Sequence, residues 1–371
     1  MGNSFQVRIN KLQDLIQDSD FDLVAVSASP SQVYFSGLHF HISERPAILL
    51  VGKKNKPAFI FPGLETEKVK KAKIELEPFP YQESRADWVK TFKNAMEFFQ
   101  SGDIRIGVEP TAMRYLELEL LGLDTSRISF TSAAQEIETL RAKKDQQEIA
   151  SIRKAIHIAE QALINTIPTI KAGITEVAIA NALVINLLRA GSDPDLPFFP
   201  IIASGPNSAN PHAVPGDRPL EIGDLLVIDW GARYHGYISD ITRTFGIGKI
   251  SPQLKEIYNV VKRANQTARD ISTTTVKSGQ AIDQVARTVI SDAGFGSYFI
   301  HRTGHGFGLE AHETPFIAED SEQVIQPGMT FSIEPGIYIP GQGGVRIEDD
   351  ICARDGKLET LTTLDRKLTI L

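Results

Sequence analysis

Cysteine is almost absent from the 371 residues: Cys352 stands alone, which excludes an internal disulfide and fits a reducing compartment. Positive charge is also in short supply. Lys and Arg number 39 against 46 Asp and Glu, for a formal net charge of −7. No cationic stripe or tail offers a grip on nucleic acid or on an anionic membrane. Long apolar runs are missing too. Val177 to Leu188 is the most apolar helix candidate, but Asn181 and Asn186 interrupt it and it is too short to span a bilayer. Met1 to Leu12 has no apolar core of a signal peptide, and Gln6 stands where a myristoylation signal on Gly2 needs Ser or Thr. The expectation is a cytoplasmic protein with no nucleic-acid and no membrane partner. P-loop, dinucleotide fingerprint and nucleophile-elbow serine are absent as well, and His312-Glu313 lacks the second histidine of a zincin helix.

What is present is enough for packed cores: 42% of the residues are hydrophobic and 23% charged. At the usual ~150 residues per domain the length predicts two domains. Residues 1–132 alternate apolar strand candidates (Phe21 to Ser27, Ala47 to Val51, Pro57 to Phe61, Ile104 to Val108) with helical spacing. The helical stretches are Phe5 to Gln17, Leu64 to Ala72, Arg85 to Gln100 and Thr111 to Leu121, which predicts an α/β domain. Residues 133–371 form the second. It opens on a long helical stretch, Ala133 to Ile170, with Leu140, Ile149, Ile152, Ile156 and Ala159 on one face and Pro168 to bend or end it.

The second half repeats itself weakly. Lys171-Ala-Gly173 opens a helix and precedes Asp229 by 58 residues; Lys277-Ser-Gly279 opens another and precedes Glu334 by 57. Gly223 and Gly328 each stand six residues before the acid. Each acid belongs to a candidate hairpin whose return strand carries a second one: Asp240 after a turn at Tyr234 to Gly236, Glu348 after Gly341 to Gly344. Two such helix-plus-hairpin units predict a pseudo-two-fold pair with the hairpins joined in one sheet and four carboxylates at the centre.

Four converging carboxylates cannot be left bare. Each pair repels by about 4 kcal/mol at 4 Å and an effective dielectric of 20, against a domain stability of about 5–15 kcal/mol. Either protons are taken up or cations sit among the acids, and two divalent ions would balance four charges. The loop Thr303-Gly304-His305-Gly306-Phe307-Gly308 could bring an imidazole to the same place.

With their flanks Asp-Trp-Gly-Ala, Ser-Asp-Ile-Thr-Arg-Thr, Thr-Gly-His-Gly, Ile-Glu-Pro-Gly and Val-Arg-Ile-Glu-Asp, the residues Asp229, Asp240, His305, Glu334 and Glu348 resemble the dinuclear-metal pita-bread peptidases. The likeness is greatest to Xaa-Pro dipeptidases (prolidases) and aminopeptidase P, and it covers the whole chain. It implies a creatinase-type α/β domain over 1–132 and an α+β pita-bread catalytic domain over 133–371. It also implies Asp229 on one metal, Asp240 and Glu348 as bridges, and His305 and Glu334 on the second. Hydrolysis of the X-Pro bond by a hydroxide shared between the metals is the implied activity, with Glu334 as proton shuttle. His212, in Asn-Pro-His-Ala, resembles the histidine that closes over substrate, and His312 the one that bonds the scissile carbonyl or tetrahedral intermediate. Arg346 resembles an active-site arginine that either touches substrate or holds a carboxylate. His301 is a candidate support for the ligands. His39 and His41 are read as surface residues rather than as reaching a partner's site, and His157 and His235 as structural. Trp230 stands where the family often has Phe or Tyr, which predicts a reshaped pocket wall.

The resemblance further implies a homodimer, a proline-containing peptide as substrate, and two divalent ions. Oxygen-rich ligation with one histidine suits manganese, slightly preferred, or cobalt, zinc or iron(II). Aminopeptidase P, acting on longer X-Pro peptides, is the nearest alternative, and the short first domain favours the dipeptidase. Creatine amidinohydrolase shares the fold without the five ligands. A non-catalytic binding protein on this fold is the alternative of a different class, and such relatives typically lose ligands.

Overall fold

The computed structural model describes residues 4–99, 102–123, 127–275 and 277–371, and the chain divides into two compact units, Met1–Arg141 and Ala142–Leu371. In the first unit, helix α1 (Ser4–Ile16) buries Ile9, Leu12 and Ile16 at helical spacing. There follow β1 (Leu23–Val26), α2 (Pro30–Ser36), β2 (Ile48–Gly52), β3 (Ala58–Pro62), α3 (Thr66–Val69) and β4 (Glu77–Tyr81). The unit continues with α4 (Arg85–Phe99), β5 (Ile104–Val108), α5 (Tyr115–Leu121), β6 (Ile128–Ser132) and α6 (Ala134–Ala142). The strands form one sheet in the order β4-β3-β2-β1-β5-β6. Pairing is antiparallel at β1–β2 and β2–β3 and parallel at the other three junctions.

All four expected strands are present, and β1, β2 and β3 are buried along their whole length. The edge strands β4 and β6 were not expected. Strand β4 carries Pro78 and Pro80, which only an edge position tolerates, and both strands are half exposed. Helix α2 was also missed, although Ser29 caps it, Pro30 opens it and Gly37 closes it in the left-handed region. The expected helix over Leu64 to Ala72 is a 3-10 turn, Gly63–Glu65, followed by the single turn α3. Gln100, expected to end the Arg85 helix, lies outside the described residues. The first unit extends past the expected boundary at 132/133 because Ala133 N–H bonds Val108 O and Arg141 bonds Ser31 Oγ at 2.8 Å.

The long helix expected over Ala133 to Ile170 is two helices, α6 and, in the second unit, α7. Asp145 starts α7 (Gln146–Thr166) with a capping box: its Oδ1 accepts from the N–H of Gln147 and Glu148, and Glu148 Oε2 accepts from Asp145 N–H. Pro168 ends the helix in a 3-10 turn, Ile167–Thr169, as expected. Helix α8 (Glu176–Ala190), capped by Thr175, packs on α7. Strand β7 (Ile201–Ser204), β8 (Leu225–Trp230), the ribbon β9 (Arg233–Tyr234) and β10 (Tyr237–Ile238), and β11 (Ile241–Gly246) complete the first half. The second half begins with a helix the sequence reading did not separate, α9 (Pro252–Arg269), packed on α10 (Gly279–Asp292). Then come β12 (Gly304–Gly306), β13 (Glu313–Ile317), β14 (Thr330–Ile333), the ribbon β15 (Gly336–Ile339) and β16 (Gly343–Arg346), β17 (Asp349–Arg354) and β18 (Lys357–Thr360).

Helix pair, strand, ribbon and return strand thus occur twice. Strand β8 pairs with β11 and β14 with β17, each antiparallel, and each pair continues beyond the ladder into its two-stranded ribbon. The hairpins were expected in one sheet. They lie instead in two, ordered β11-β8-β7 and β13-β12-β14-β17-β18, connected by a single bridge between Thr242 and Glu348. The ladder stops there because Asp240 N–H is taken by a side chain, Asp350 Oδ2 at 3.1 Å, rather than by a neighbouring strand.

Trp230 was expected on the pocket wall, and the structure corrects this. The residue ends β8 fully buried, its Nε1–H donates to Ala159 O of α7 at 2.9 Å, and it does not line the cavity described below. It fastens the first hairpin to its helix. Trp230→Phe is therefore expected to lose the bond and leave a void, costing about 2 kcal/mol in urea unfolding; an unchanged midpoint would contradict the anchoring role.

Candidate metal centre

The two hairpins and the neighbouring strand β12 bring the five candidate ligands together from five places in the chain. Asp229 is on β8, Asp240 just ahead of β11, His305 in β12, Glu334 just beyond β14, and Glu348 just ahead of β17. One ligand atom each from Asp240, His305 and Glu348 lies within 4.8 Å of the other two. His305 Nε2 is 3.2 Å from Glu334 Oε1 and 3.8 Å from Asp240 Oδ2. Asp229, Asp240, His305 and Glu348 are all buried, and Glu334 is half-buried. Strand β12 can approach β14 closely only because Gly304 lacks a side chain: a Cβ there would collide with Ser332 O. His305 N–H is 3.1 Å from Ser332 Oγ, which fixes the strand that carries the imidazole.

Burial in the company of like charges dominates the electrostatics. Desolvation, then Glu334 and Asp229, push Glu348 well above the ordinary carboxylate range. Desolvation, then Glu348 and Asp229, do the same to Asp240. Desolvation also raises Asp229, against the opposing pull of Arg346. Glu334 goes the other way: burial would raise it, but the hydrogen bond and charge of His305 hold it down to about 2.

The donor set suits a divalent cation. Asp229 Oδ1 is buried with no hydrogen-bond partner, while its Oδ2 accepts from Arg346 Nη2 at 2.6 Å. Glu348 Oε2 accepts from Thr242 Oγ1 at 2.6 Å, leaving its other oxygen to the centre. Gly306 O is 3.2 Å from His305 Nδ1 and assigns the imidazole proton to that nitrogen. When the ring is protonated its Nε2 bonds Glu334, 3.2 Å away; when it is neutral a lone pair faces Glu334 and Asp240, an arrangement that a cation among them satisfies.

A cavity of 530 Å³ opens over these residues. Its walls include Phe198, Phe199, Ile201 and Pro211, together with His212, His301, Arg302, Ala311, His312 and Arg346. His312 lies at the rim, its ring edge-on to His305 at 4.3 Å between centroids. Burial, then the neighbouring His305, lowers its pKa to about 4, so the ring is neutral near pH 7. His212 is exposed, on a loop that Arg346 Nη1 holds through Pro211 O at 3.2 Å.

Arg346 is 3% exposed, and its guanidinium bonds Asp229, Thr242 Oγ1, Pro211 O and Tyr338 OH. Of the two roles considered for it, the carboxylate-holding geometry is present, and the side chain also reaches the cavity. Tyr338, which the sequence reading missed, links Arg346 to His301: its OH is 2.9 Å from Arg346 Nη1 and 2.8 Å from His301 Nε2. Four residues beyond Glu334 on a buried strand, a tyrosine needs a polar partner, and that was the available signal. His39 and His41 are exposed in the first unit with their rings 4.8 Å apart, and His157 and His235 are exposed on α7 and on the β9–β10 turn.

Three comparisons bear on this geometry. The model of metallopeptidase family M24 matches residues 150–355, and that of the creatinase/prolidase N-terminal domain matches residues 8–143. An Xaa-Pro dipeptidase of Lactobacillus helveticus is 34% identical, covering 98% of this chain and 99% of that protein. Among solved structures, a dipeptidase from Pyrococcus horikoshii OT3 superposes with a TM-score of 0.90 at 38% identity, covering 98% of this chain and 100% of that one. An X-Pro aminopeptidase from Thermotoga maritima superposes with a TM-score of 0.85 at 31% identity, covering 98% of this chain and 99% of that one.

The raised carboxyls set a pH dependence for protein stripped of divalent ions. In the folded state Asp229, Asp240 and Glu348 hold protons that the unfolded chain releases near their ordinary values of 3.8 and 4.5. Stability therefore falls as pH rises above those values toward the raised ones. The Tm of chelator-treated protein should drop from about pH 5 to about pH 8, and added Mn²⁺ should raise it more at the higher pH, where the ligands are deprotonated. A Tm that rose with pH across this range, or that ignored Mn²⁺, would contradict the assignment.

Proposed function

The chain belongs to metallopeptidase family M24, and from that premise we propose that it hydrolyses the X-Pro bond of Xaa-Pro dipeptides. The observation that carries the proposal is the meeting of Asp240, His305 and Glu348 within 4.8 Å at the floor of a cavity, beside a buried Asp229 oxygen with no partner. Asp229, Asp240, His305, Glu334 and Glu348 are the residues that would hold two divalent cations. When bound, such ions supply Lewis acidity: they lower the pKa of a water and polarise a carbonyl. Manganese is preferred over cobalt, zinc or iron(II) on the oxygen-rich donor set. A homodimer and a cytoplasmic location complete the reading. The single cysteine, Cys352, fits that compartment, and no helix among the described residues is long and apolar enough to cross a membrane.

The chain's own groups then divide the work. Glu334, ionised beside His305, takes a proton from the attacking water and passes it to the proline nitrogen as that bond breaks. A neutral His312 donates a hydrogen bond to the oxygen on which negative charge develops. His212, exposed among the residues that line the cavity, closes over the substrate. Phe198, Phe199 and Ile201 give the cavity an apolar wall suited to a side chain or a proline ring. A tertiary X-Pro amide has no N–H, so a site for it needs shape here rather than a backbone acceptor.

The likeness to the Thermotoga maritima X-Pro aminopeptidase supports a second reading, release of the N-terminal residue from longer X-Pro peptides. Hydrolysis of Ala-Pro and Ala-Pro-Ala, by chelator-stripped protein and after resupply of Mn²⁺, Co²⁺ or Zn²⁺, separates the two. The expected result is metal-dependent cleavage with the dipeptide preferred. Asp229→Ala, which removes a ligand outright, should lower kcat/KM by at least ~100-fold. Preference for the tripeptide would move the assignment to the aminopeptidase. No cleavage of either would overturn the substrate class, and no bound metal would revive a non-catalytic binding protein.

A further inference from the structure

His312 is exposed at the cavity rim, and among the described residues its ring has no hydrogen-bond partner. Its edge-on contact with His305 leaves the ring without a hydrogen bond to fix it, so its place depends on the backbone that carries it. That backbone is governed by the next residue. Glu313 Oε1 accepts the N–H of Leu309 at 2.8 Å and of Glu310 at 3.0 Å, folding the chain from Gly308 to His312 into a tight loop around one carboxylate. Glu313 Oε2 is 3.1 Å from Lys144 Nζ, and the two side chains are 7% and 1% exposed.

A lysine so deeply buried is rare unless paired, and it is costly to leave either partner alone. The surroundings are built around this pair. A Cβ on Gly308 would meet Lys144 Cε at 2.8 Å and Glu313 Oε2 at 2.9 Å, so only glycine leaves room for the ammonium to reach the carboxylate. Lys144 N–H bonds Gly328 O at 2.9 Å, and Lys143 bridges to Met329, next to β14, which leads to Glu334. Neither Lys144 nor Glu313 lines the cavity. The pair thus ties the loop carrying His312 to the frame that carries a candidate metal ligand, without touching substrate.

We propose that Lys144 and Glu313 are positioning residues that hold His312 at the angle and distance from His305 that hydrolysis requires. The inference rests on the role given to His312 in the proposed function. Without the ammonium, the Glu313 carboxylate loses a buried ion pair at 3.1 Å, and its hold on the two backbone N–H groups and on the loop they close weakens. Asp229, Asp240, Glu334 and Glu348 stand on or beside other strands, and the ladder of β13 to β12 holds His305, so the loss falls on the loop that carries His312.

Lys144→Met, His312→Ala and the double variant, assayed on Ala-Pro with bound manganese measured in each, test this. Lys144→Met should lower kcat on the order of tenfold to a hundredfold, the cost of a misplaced catalytic group. KM should move by less than about twofold, and metal content should not change. In the His312→Ala background, Lys144→Met should cost nothing further, because what it positions is gone. Equal loss in both backgrounds, loss of metal, or an unchanged kcat in Lys144→Met would each overturn the proposal while leaving the proposed function standing. Wild-type activity in His312→Ala would remove the role of His312 itself, and the proposal with it. Should Lys144→Met not fold, Glu313→Gln keeps the backbone acceptor, breaks only the ion pair, and is held to the same cycle.

Discussion

Carboxylates buried together without enough cationic side chains to balance them are the constraint on which the second unit is built. Arg346 reaches Asp229, and His305 reaches Glu334 and Asp240, yet Glu348 is 1% exposed and accepts its side-chain hydrogen bond from a neutral threonine, Thr242. Burial drives Asp240 and Glu348 far above their ordinary range, so the free site holds protons where a loaded site would hold metal. The free energy lost in crowding the acids is offset by whatever cation replaces those protons. This makes metal binding a stabilising event for the fold as well as a requirement of the chemistry.

The rest of the unit keeps that crowd in register. Two halves of like construction each deliver a strand acid and a return-strand acid, and the halves meet at the Thr242–Glu348 bridge. Arg243 reinforces the junction, donating to Thr242 O at 2.9 Å and Glu348 O at 2.6 Å while its Nη2 bonds Asp349. Burial alone would raise Asp349, but Arg243, Arg366 and Arg269 hold it down to about 2. A permanently charged anchor therefore stands one residue from a candidate ligand whose own charge is frustrated. On the opposite side, Arg346 joins Asp229 to Tyr338 and to the loop of His212, so the same guanidinium that orients a candidate ligand also positions a wall of the cavity.

How much of this could be read in the chain follows from what each residue needs locally. Of the four central strands of the first unit, β1, β2 and β3 are apolar runs buried throughout and β5 is broken only by Arg105, and the candidate ligand acids sit at matched points of apolar strands with glycines at fixed distances, so both stood out. Strands β4 and β6 did not, because edge strands are half exposed and β4 breaks its pattern with prolines. The break between α6 and α7 was hidden for a different reason: helical spacing runs through Leu140 and Ile149, and only the Asp145–Glu148 capping box marks a new start. Trp230 was misplaced because a motif neighbour of a ligand reads as a pocket residue, whereas alternation along β8 turns it to the opposite face, against α7. Tyr338 left only the weak signal of a tyrosine in an apolar strand, and Lys144 and Glu313 are legible only in three dimensions, since they lie 169 residues apart and depend on the fold of a loop.

Anomalous diffraction from crystals grown with manganese tests the central claim most directly. The account predicts two peaks among Asp229, Asp240, His305, Glu334 and Glu348, with Asp229 Oδ1 among the ligating oxygens. Crystals in which those five side chains bind no manganese, with the carboxyls instead sharing protons in hydrogen-bonded pairs, would contradict it.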